Sequence, residues 1–428
     1  MFKDITGCLL MSWLMVISCY ASQSESSMPH RQLIETSLEQ GGIDFGSLEH
    51  QRIGNKVRLY WDPLTPPPSG KLTLPNGLQL SYGEIIMYAG DFFGNTSKVI
   101  SSCSPDQQEE CFYSQFSTLG LTADDPNHPC SDPFLLTTAY GSHFAKIQEK
   151  LDMAQQKGQA EWDFFKEYSS DNTKALNRIS CGGSFVSALI PFGSYLKLAS
   201  VNMDHFVPDS LTAYKAGHNA ALKSAINAHK YLQKNQNEKA REALHLAYAQ
   251  NAFANHYLTD SMSSGHMRTP RRAVHNTIAL PDILNLVIAN FMHDEDSRYG
   301  LNVVNSRGIA WRAFGDHYLK HPDAQPHYEM ILKITQMSVD AVYTAFLTGQ
   351  IPDELEELAW LPDYSNIDSL NNHAPLFKWE DGHLLKRVKN HDPYDYHWTK
   401  YWSGLLMLLD FQIHGKSGSD SHNERISG

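Results

Sequence analysis

Apolar residues recur at helical spacing over most of the chain from about residue 135 onward. The two clearest stretches are Ser210–Gln233 and Asn237–Asp260, and only three polar residues separate them. So short a link predicts an antiparallel helix hairpin. A third helix is predicted over Tyr328–Leu347, because a glycine and then a proline follow it closely and end the pattern.

The part of the chain before this helical pattern reads differently, with short apolar runs between turn residues. Val57–Trp61 alternates between apolar and polar side chains, a proline-rich break follows, and Pro75-Asn76-Gly77 predicts a turn between two further runs. We therefore expect strands here. The predicted regions are a strand and loop region at 23–133, a helical domain at 134–352 and a C-terminal extension at 353–428.

The composition is that of a globular protein with an acidic surface. Of the 428 residues, 42% are hydrophobic and 19% are charged, and the formal net charge is −12. This balance supplies enough apolar side chains for a substantial core. Because acidic surfaces repel phosphate backbones, the composition argues against a nucleic-acid-binding protein that depends on basic patches.

The first 22 residues have the pattern of an export signal. Lys3 precedes an apolar run over Cys8–Ile17, and small residues follow up to Ala21, where cleavage is expected. A lipoprotein anchor at Cys19 is the alternative interpretation. The predicted location is therefore secreted or periplasmic.

Four cysteines remain beyond this signal: Cys103, Cys111, Cys130 and Cys181. Their spacing lacks the close pairs that zinc-binding cysteines need. In an oxidising compartment four cysteines predict two disulfides, with all three connectivities open.

The strongest chemical pattern lies at the end of the second predicted helix. His256 and Asp260 are four residues apart, and Ser-Ser-Gly precedes His266. Residues four apart project from the same helix face, and the Ser-Ser-Gly stretch allows the chain to bend back toward them. Two imidazoles and a carboxylate suit zinc better than calcium or magnesium, which prefer all-oxygen shells. The pattern therefore predicts a zinc site.

Further donor residues flank this motif in the sequence. Asp204-His205 precedes the hairpin, and His293-Asp294-Glu295-Asp296 follows it. A His/Asp pair alone is commonly a surface ion pair, and each flanking run alone is commonly a solvated loop. Their combination in an exported chain favours a metal centre that includes some of them.

The motif resembles the core of the bacterial zinc-dependent phospholipases C. That family has a His, an Asp four residues later and a second His six beyond, with an aromatic-Leu pair inside, as His256-Tyr257-Leu258-Thr259-Asp260 and His266 have here. His205-Phe206 stands where the family has a His-Phe ligand. The resemblance covers about residues 185–350. The segments most similar to the Legionella and Pseudomonas branch are Gly90–Gly94, Gly265–Pro270 and Met292–Asp296.

The resemblance implies a centre of two or three zinc ions. His205 and His256 are implied ligands of the first ion, and Asp260 corresponds to the carboxylate that bridges two ions. His266 is implied to bind another ion together with a downstream histidine, for which we choose His293.

The chain departs from the family pattern in two places. The family has a glutamate four residues after the downstream histidine, whereas this chain has Ser297. Asp296 or Asp294 is expected to replace it as a metal ligand. The family also uses its mature N-terminal tryptophan as a ligand, and no tryptophan stands near Cys19 or Ser22.

Other residues are candidates for supporting roles. Asp91 is a candidate general base or ligand, and a turn aspartate beside a strand is the alternative. Asp204 is a candidate ligand or a partner that orients His205. Arg268 is expected either to bind a substrate phosphate in a bidentate manner or to belong to a solvated basic loop. Asp316 is predicted to be a turn residue.

The implied fold is mainly α, with a helical zinc phospholipase C-like catalytic domain, a strand-containing, disulfide-stapled N-terminal region and a C-terminal extension. The implied activity is hydrolysis of phospholipids by a monomer at a membrane surface, with no nucleic-acid partner. A zinc-dependent single-strand nuclease and a binding protein with structural zinc are the alternatives. In the extension Trp360, Trp379, Trp398 and Trp402 are expected in a core rather than on a lipid-contacting surface.

Overall fold

The structure is a computed structural model that describes residues 46–121, 130–183 and 192–415. The predicted signal at 1–22, with Cys19, lies outside these residues. The helices are α1 (Ser47–Gly54), α2 (Tyr82–Tyr88), α3 (Gln108–Gly120), α4 (Pro133–Gln156), α5 (Glu161–Ile179), α6 (Ser194–Ser200), α7 (Asp209–Gln233), α8 (Asn237–Asp260), α9 (Ser264–Met267), α10 (Arg271–Thr277), α11 (Asp282–Tyr299), α12 (Gln325–Thr348) and α13 (Gly404–His414). The strands are β1 (Leu72–Thr73), β2 (Gln79–Leu80), β3 (Leu301–Val304), β4 (Ala310–Ala313), β5 (Phe377–Glu380), β6 (His383–Arg387) and β7 (Trp398–Thr399).

The predicted helix hairpin, α7 and α8, is confirmed and forms the centre of a mainly helical fold. Its interface is rich in buried alanines, which let the two backbones approach closely. At Gly217 even a methyl group would lie 2.7 Å from the Cβ of Ala254 and 2.3 Å from the Phe112 ring. Helix α12, predicted over Tyr328–Leu347, packs against both members of the hairpin.

The prediction of a strand over Val57–Trp61 is wrong. This segment is extended, but its backbone hydrogen bonds go to side chains of helices rather than to another strand. The Gln336 side chain bonds both the N–H and the C=O of Arg58, and Tyr248 Oη donates to Tyr60 O at 2.8 Å. The alternation arises because Val57, Leu59 and Trp61 pack, partly buried, against the core.

Three helices that the pattern analysis missed, α1, α2 and α3, lie in this N-terminal region. Helix α2 begins with a capping box in which Ser81 and Glu84 bond each other's backbone amides. Helices α1 and α2 cross where two glycines meet, and a Cβ on Gly54 would lie 2.5 Å from Gly83 Cα. This crossing holds α1 close to the hairpin.

The predicted pair of disulfides is present, as Cys103–Cys111 and Cys130–Cys181. The first joins the start of α3 to the single-turn helix Ile100–Ser102, and the second joins the segment before α4 to the end of α5. The structure thus shows one of the three connectivities that the sequence left open. Cys103–Cys111 is a local bridge, and Cys130–Cys181 spans two helices.

The C-terminal extension packs onto α11 and shares one continuous hydrophobic core with the rest of the chain. Arg387 of β6 forms a buried ion pair with Glu295 at 2.7 Å, and Phe411 of α13 stacks on Phe291 with ring centroids 3.9 Å apart. The expectation of core tryptophans is wrong for Trp379, which is 54% exposed. Among the described residues, no helix combines the length and apolar character needed to cross a bilayer.

Candidate metal centre

The end of α8 lies in a buried group of histidine and aspartate side chains, here called the first group. Its members are His50, Asp91, His205, His256 and Asp260, each at most 7% exposed. They form two sets of three that share His256, and within each set the donor atoms lie within 4.8 Å of one another.

Asp260 is the carboxylate around which the first group is arranged. Its Oδ2 lies 2.9 Å from His205 Nδ1 and 3.3 Å from His256 Nε2, and its Oδ1 lies 3.2 Å from His50 Nε2. Asp91 completes the group, with its oxygens 3.7 Å from His205 Nδ1 and 3.9 Å from His256 Nε2. Three imidazoles and two carboxylates therefore converge on a small volume.

Local structure explains how the group closes this tightly. The helical spacing of α8 places His256 and Asp260 on one face, as the sequence predicts. Asp91 follows Gly90, which has φ +72°, a conformation that glycine adopts readily. A Cβ at this position would lie 2.8 Å from the His205 ring and 3.1 Å from the His256 ring. The positive φ and the close approach of the two histidine rings therefore both require glycine at position 90.

Helix α9, helix α11 and the segment after β4 supply a second group, which consists of His266, His293 and Asp316. The Nε2 atoms of His266 and His293 lie 3.1 Å apart. Asp316 Oδ2 lies 3.7 Å from the first and 3.4 Å from the second. All three side chains are buried.

In His256, His266 and His293, Nδ1 faces away from the group and makes a hydrogen bond. These bonds decide whether Nε2, which faces into the group, carries a lone pair. His256 Nδ1 lies 2.9 Å from Ile86 O, and His266 Nδ1 lies 2.8 Å from His205 O. A carbonyl oxygen only accepts, so in both rings Nδ1 carries the hydrogen. In the neutral imidazole Nε2 is then an acceptor that points into its group, the arrangement typical of metal-bound histidine.

His293 is held in the same way, because its Nδ1 lies 2.9 Å from Asp294 Oδ1. In the second group, two imidazole acceptors therefore face each other and a carboxylate oxygen. Such acceptors repel one another unless a positive charge lies between them. A divalent cation or a bound proton satisfies this requirement.

The pKa values of these buried side chains show the same competition between a proton and a metal cation. Burial lowers the pKa of His293, but hydrogen bonds and negative charge from Asp294 and Asp316 outweigh it and raise this pKa to about 10. Burial holds the pKa of His256 well below its usual value. Burial also acts on Asp260, yet the neighbouring histidines keep its pKa well below the ordinary range. The carboxylate is therefore ionised and ready to bind a cation.

A buried oxygen of Asp260 provides a direct test of whether these residues fit a metal. Among the described residues, nothing gives Asp260 Oδ2 a hydrogen bond of ordinary geometry, although two imidazole nitrogens approach it. A buried carboxylate oxygen left in this state is costly unless a cation binds it. The donor set of neutral nitrogens and carboxylate oxygens is one that zinc prefers. The groups can thus hold metal ions.

The structure places His205, His256, Asp260, His266 and His293 in these groups, as the sequence analysis expected. Asp91 also lies in the first group. Each of these side chains comes from a different turn or helix end, apart from the pair on α8. Their roles as zinc ligands stay predictions.

Asp204 and Asp296 are not among the clustered donors. The two oxygens of Asp204 accept hydrogen bonds from the backbone amides of Ile100 and Ser101, at 2.6 and 2.9 Å. Asp204 therefore orients the backbone at Ile100 and Ser101. Asp296 is paired with Arg268, at 2.8 and 3.0 Å. Asp204 and Asp296 thus bond groups of the protein, backbone amides and a guanidinium respectively, rather than lying among the metal-binding donors.

Arg268 likewise does not match either sequence-based expectation. Its guanidinium is buried and bonds Asp296 as well as Asp368, at 2.8 Å, and it lies 3.1 Å from His373 Nε2. With two carboxylates already bound, the side chain is neither a solvated loop residue nor open to a substrate phosphate.

Two donors, His50 and Asp316, were missed by the sequence analysis. His50 lies on α1, in a region predicted to be strands and loops, and its Nδ1 is fixed by Thr259 Oγ1 at 2.8 Å. Asp316 follows β4 and accepts hydrogen bonds from Ser263 Oγ at 2.9 Å and Gly46 N at 3.2 Å. It takes the place that Asp296 or Asp294 was expected to fill. No spacing rule signals either residue, since their partners are distant in sequence.

No protein-family model, curated protein or solved structure matches this chain significantly. The functional interpretation therefore rests on the residues of the two groups, which together are called the centre below.

Proposed function

We propose that this chain is an exported zinc-dependent phospholipase C. It hydrolyses the glycerol–phosphate ester of a phospholipid, with phosphatidylcholine as the first substrate to test. The products are diacylglycerol and a phosphorylated head group. Two zinc ions, one in each group, are the proposed complement.

The observation that carries this proposal is the meeting of residues far apart in the sequence. His205, His256 and Asp260 form part of one buried group, and His266 and His293 form part of another. The pattern analysis selected His256, Asp260 and His266 from their types and spacing. The resemblance to the zinc-dependent phospholipases C added His205 and His293 as ligands of the same centre.

Each donor has a definite task in the proposed site. His50, Asp91, His205, His256 and Asp260 would hold one ion. His266, His293 and Asp316 would hold the other ion. Bound zinc supplies Lewis acidity toward phosphoryl oxygens and makes water a stronger nucleophile near neutral pH.

The chain's own residues prepare the site in two further ways. Carbonyl oxygens of Ile86 and His205 fix the orientation of His256 and His266, so that little reorganisation is needed when a cation binds. Burial of all eight donors lowers the local dielectric, which strengthens their attraction for a cation and for the charge that develops on a phosphoryl group.

A decisive experiment combines metal analysis with a lipid assay on the purified chain. We expect zinc to copurify, and phosphorylcholine release from lecithin to stop after chelation and return when zinc is added. Asp260→Asn should lower both zinc content and turnover, because it removes the central negative charge. Asp204→Asn is the matched control, since this neighbouring buried aspartate bonds backbone amides. Circular dichroism of both variants separates loss of metal from loss of fold.

Three results would contradict the proposal. They are zinc content unchanged in Asp260→Asn, lecithin hydrolysis that resists chelation, and release of nucleotides from single-stranded DNA without lipid hydrolysis. The third result would assign the centre to a nuclease, which the net charge of −12 disfavours.

A further inference from the structure

Helix α13 is apolar on both of its sides. Its inner side, with Met407, Leu408 and Phe411, is buried against α11 and its neighbours. Its outer side exposes four aliphatic residues, of which Leu406 is 67% and Ile413 is 74% exposed. A helix with apolar residues all round is normally covered by protein or by lipid.

The exposed residues form a continuous stripe rather than scattered points. Leu409 follows Leu405 by four residues and Leu406 by three, and Ile413 follows Leu409 by four, which places them on one helix face. Tyr401, 84% exposed, stands just before the helix and extends the stripe. These five residues are called the outer face. Apolar surface of this kind on a folded chain marks a site of contact with another body.

The charges around the outer face indicate what that body is. In a chain of net charge −12, α13 contains a single acidic residue, Asp410, whose carboxylate is bonded to Asn390 and His391 at 2.6 and 2.8 Å. At the other end of the face, Lys400 Nζ lies 5.5 Å from the centre of the Tyr401 ring. The face thus combines an aliphatic stripe with a tyrosine and a cation at its end, a composition suited to a phospholipid surface.

The segment that follows α13 in the sequence is mostly polar. Residues 416–428 follow α13 directly, and Ile426 is the one aliphatic residue among them. Burying the four aliphatic side chains of α13 requires apolar partners, which residues 416–428 do not provide.

We propose that the outer face docks the protein on a phospholipid bilayer, with Leu406 and Ile413 entering the acyl region and Tyr401 at the head-group level. The choice of a bilayer as the partner rests on the proposed function. The docking helix is connected to the centre, because Phe411 stacks on Phe291 at 3.9 Å and α11 carries His293 two residues later. Docking through α13 therefore sets the position of the centre relative to the membrane.

The test measures binding to phosphatidylcholine vesicles after chelation, so that hydrolysis does not alter the vesicles. The double variant Leu406→Asp with Ile413→Asp is expected to reduce the partition coefficient by about tenfold or more, since it replaces two inserted aliphatic groups by charges. Leu347→Asp with Ile351→Asp is the matched control, because these residues are 47% and 46% exposed at the end of α12. The control should bind vesicles like the original chain.

Hydrolysis of a soluble short-chain lecithin, measured with zinc present, separates this inference from the proposed function. We expect the outer-face variant to retain that activity while it loses activity on vesicles. Vesicle binding without any lipid hydrolysis would overturn the proposed function and support the docking surface. Equal vesicle binding by the outer-face variant and the original chain would overturn the docking surface. The docking surface would also be overturned if the original chain is a dimer, the outer-face variant is a monomer and both bind vesicles equally. The face would then join two copies.

Discussion

Two parts of this molecule bring together two histidines and an aspartate, and they differ in almost everything except residue type. The second group of the centre is buried, with side chains at most 8% exposed. The surface group of His391, Asp410 and His414 has side chains that are 31%, 32% and 61% exposed. Residue type alone therefore does not separate a candidate metal site from an ordinary surface cluster.

The hydrogen bonds explain the difference between these two groups. In the surface group both imidazoles approach the carboxylate, at 2.8 and 3.1 Å, as histidines do when they donate to an aspartate. In the second group the ring nitrogens of His266 and His293 approach each other instead, because backbone and Asp294 contacts fix the hydrogens on the far sides. Opposed ring nitrogens in a buried place need a proton or a metal ion between them, and this need, rather than a set of donor residues, separates a candidate metal site from a surface cluster.

The sharpest test of this comparison replaces one histidine in each region. His266→Ala, in the second group, is expected to reduce zinc affinity and turnover by more than about a hundredfold, since even outer partners of metal-bound histidines contribute about 10–100-fold. His391→Ala is expected to change neither quantity. Zinc content by mass spectrometry and phosphorylcholine release measure both effects. Equal losses in the two variants would mean that burial and orientation do not distinguish the groups.

A second comparison involves Asp316, which lies beside His293 in the structure, and Asp296, which the sequence analysis expected as a ligand. Asp316→Asn keeps the shape of the side chain but removes its charge, so zinc affinity should fall between about tenfold and a hundredfold. Asp296→Asn should leave zinc affinity unchanged and destabilise the fold by about 3 kcal/mol, because Arg268 loses a buried counter-charge. Chelator competition and urea unfolding measure the two quantities. The reverse pattern would restore Asp296 as the ligand that the sequence suggested.

The smallest expected effect concerns a buried histidine outside the centre. His218 accepts a hydrogen bond from Asn251 at 2.9 Å, and burial lowers its pKa to about 3. Below about pH 6.5 the unfolded chain binds a proton at this residue and the folded chain does not, so stability falls as the pH falls, by up to about 1.4 kcal/mol per pH unit until the pH approaches 3. His218→Gln should make unfolding free energy less dependent on pH between 6.5 and 5.

Urea unfolding of the two proteins at both pH values, with a chelator present throughout, provides this measurement without a contribution from metal release. A steeper loss of stability in the variant than in the original chain would show that His218 binds a proton in the folded state.

Much of the helical fold and part of the centre could be predicted from the sequence because they depend on local regularities. The hairpin follows from apolar spacing and a short link, and the observed bounds Asp209–Gln233 and Asn237–Asp260 agree with that pattern. His256 and Asp260 share a face because four residues complete about one helical turn. The assignment of His205, His266 and His293 to the same region came from residue types and resemblance, and the fold places them there.

The tertiary structure decided the rest. His50 contacts Thr259 across 209 residues of sequence, and Gly46 contacts Asp316 across 270. Whether an aspartate lies beside His266 and His293, as Asp316 does, or is paired with Arg268, as Asp296 is, depends on how separate elements meet. Sequence spacing specifies directions within one helix or turn, because backbone geometry repeats there. It does not specify contacts between elements, because those are fixed by the packing of the whole core and by the need to pair every buried charge.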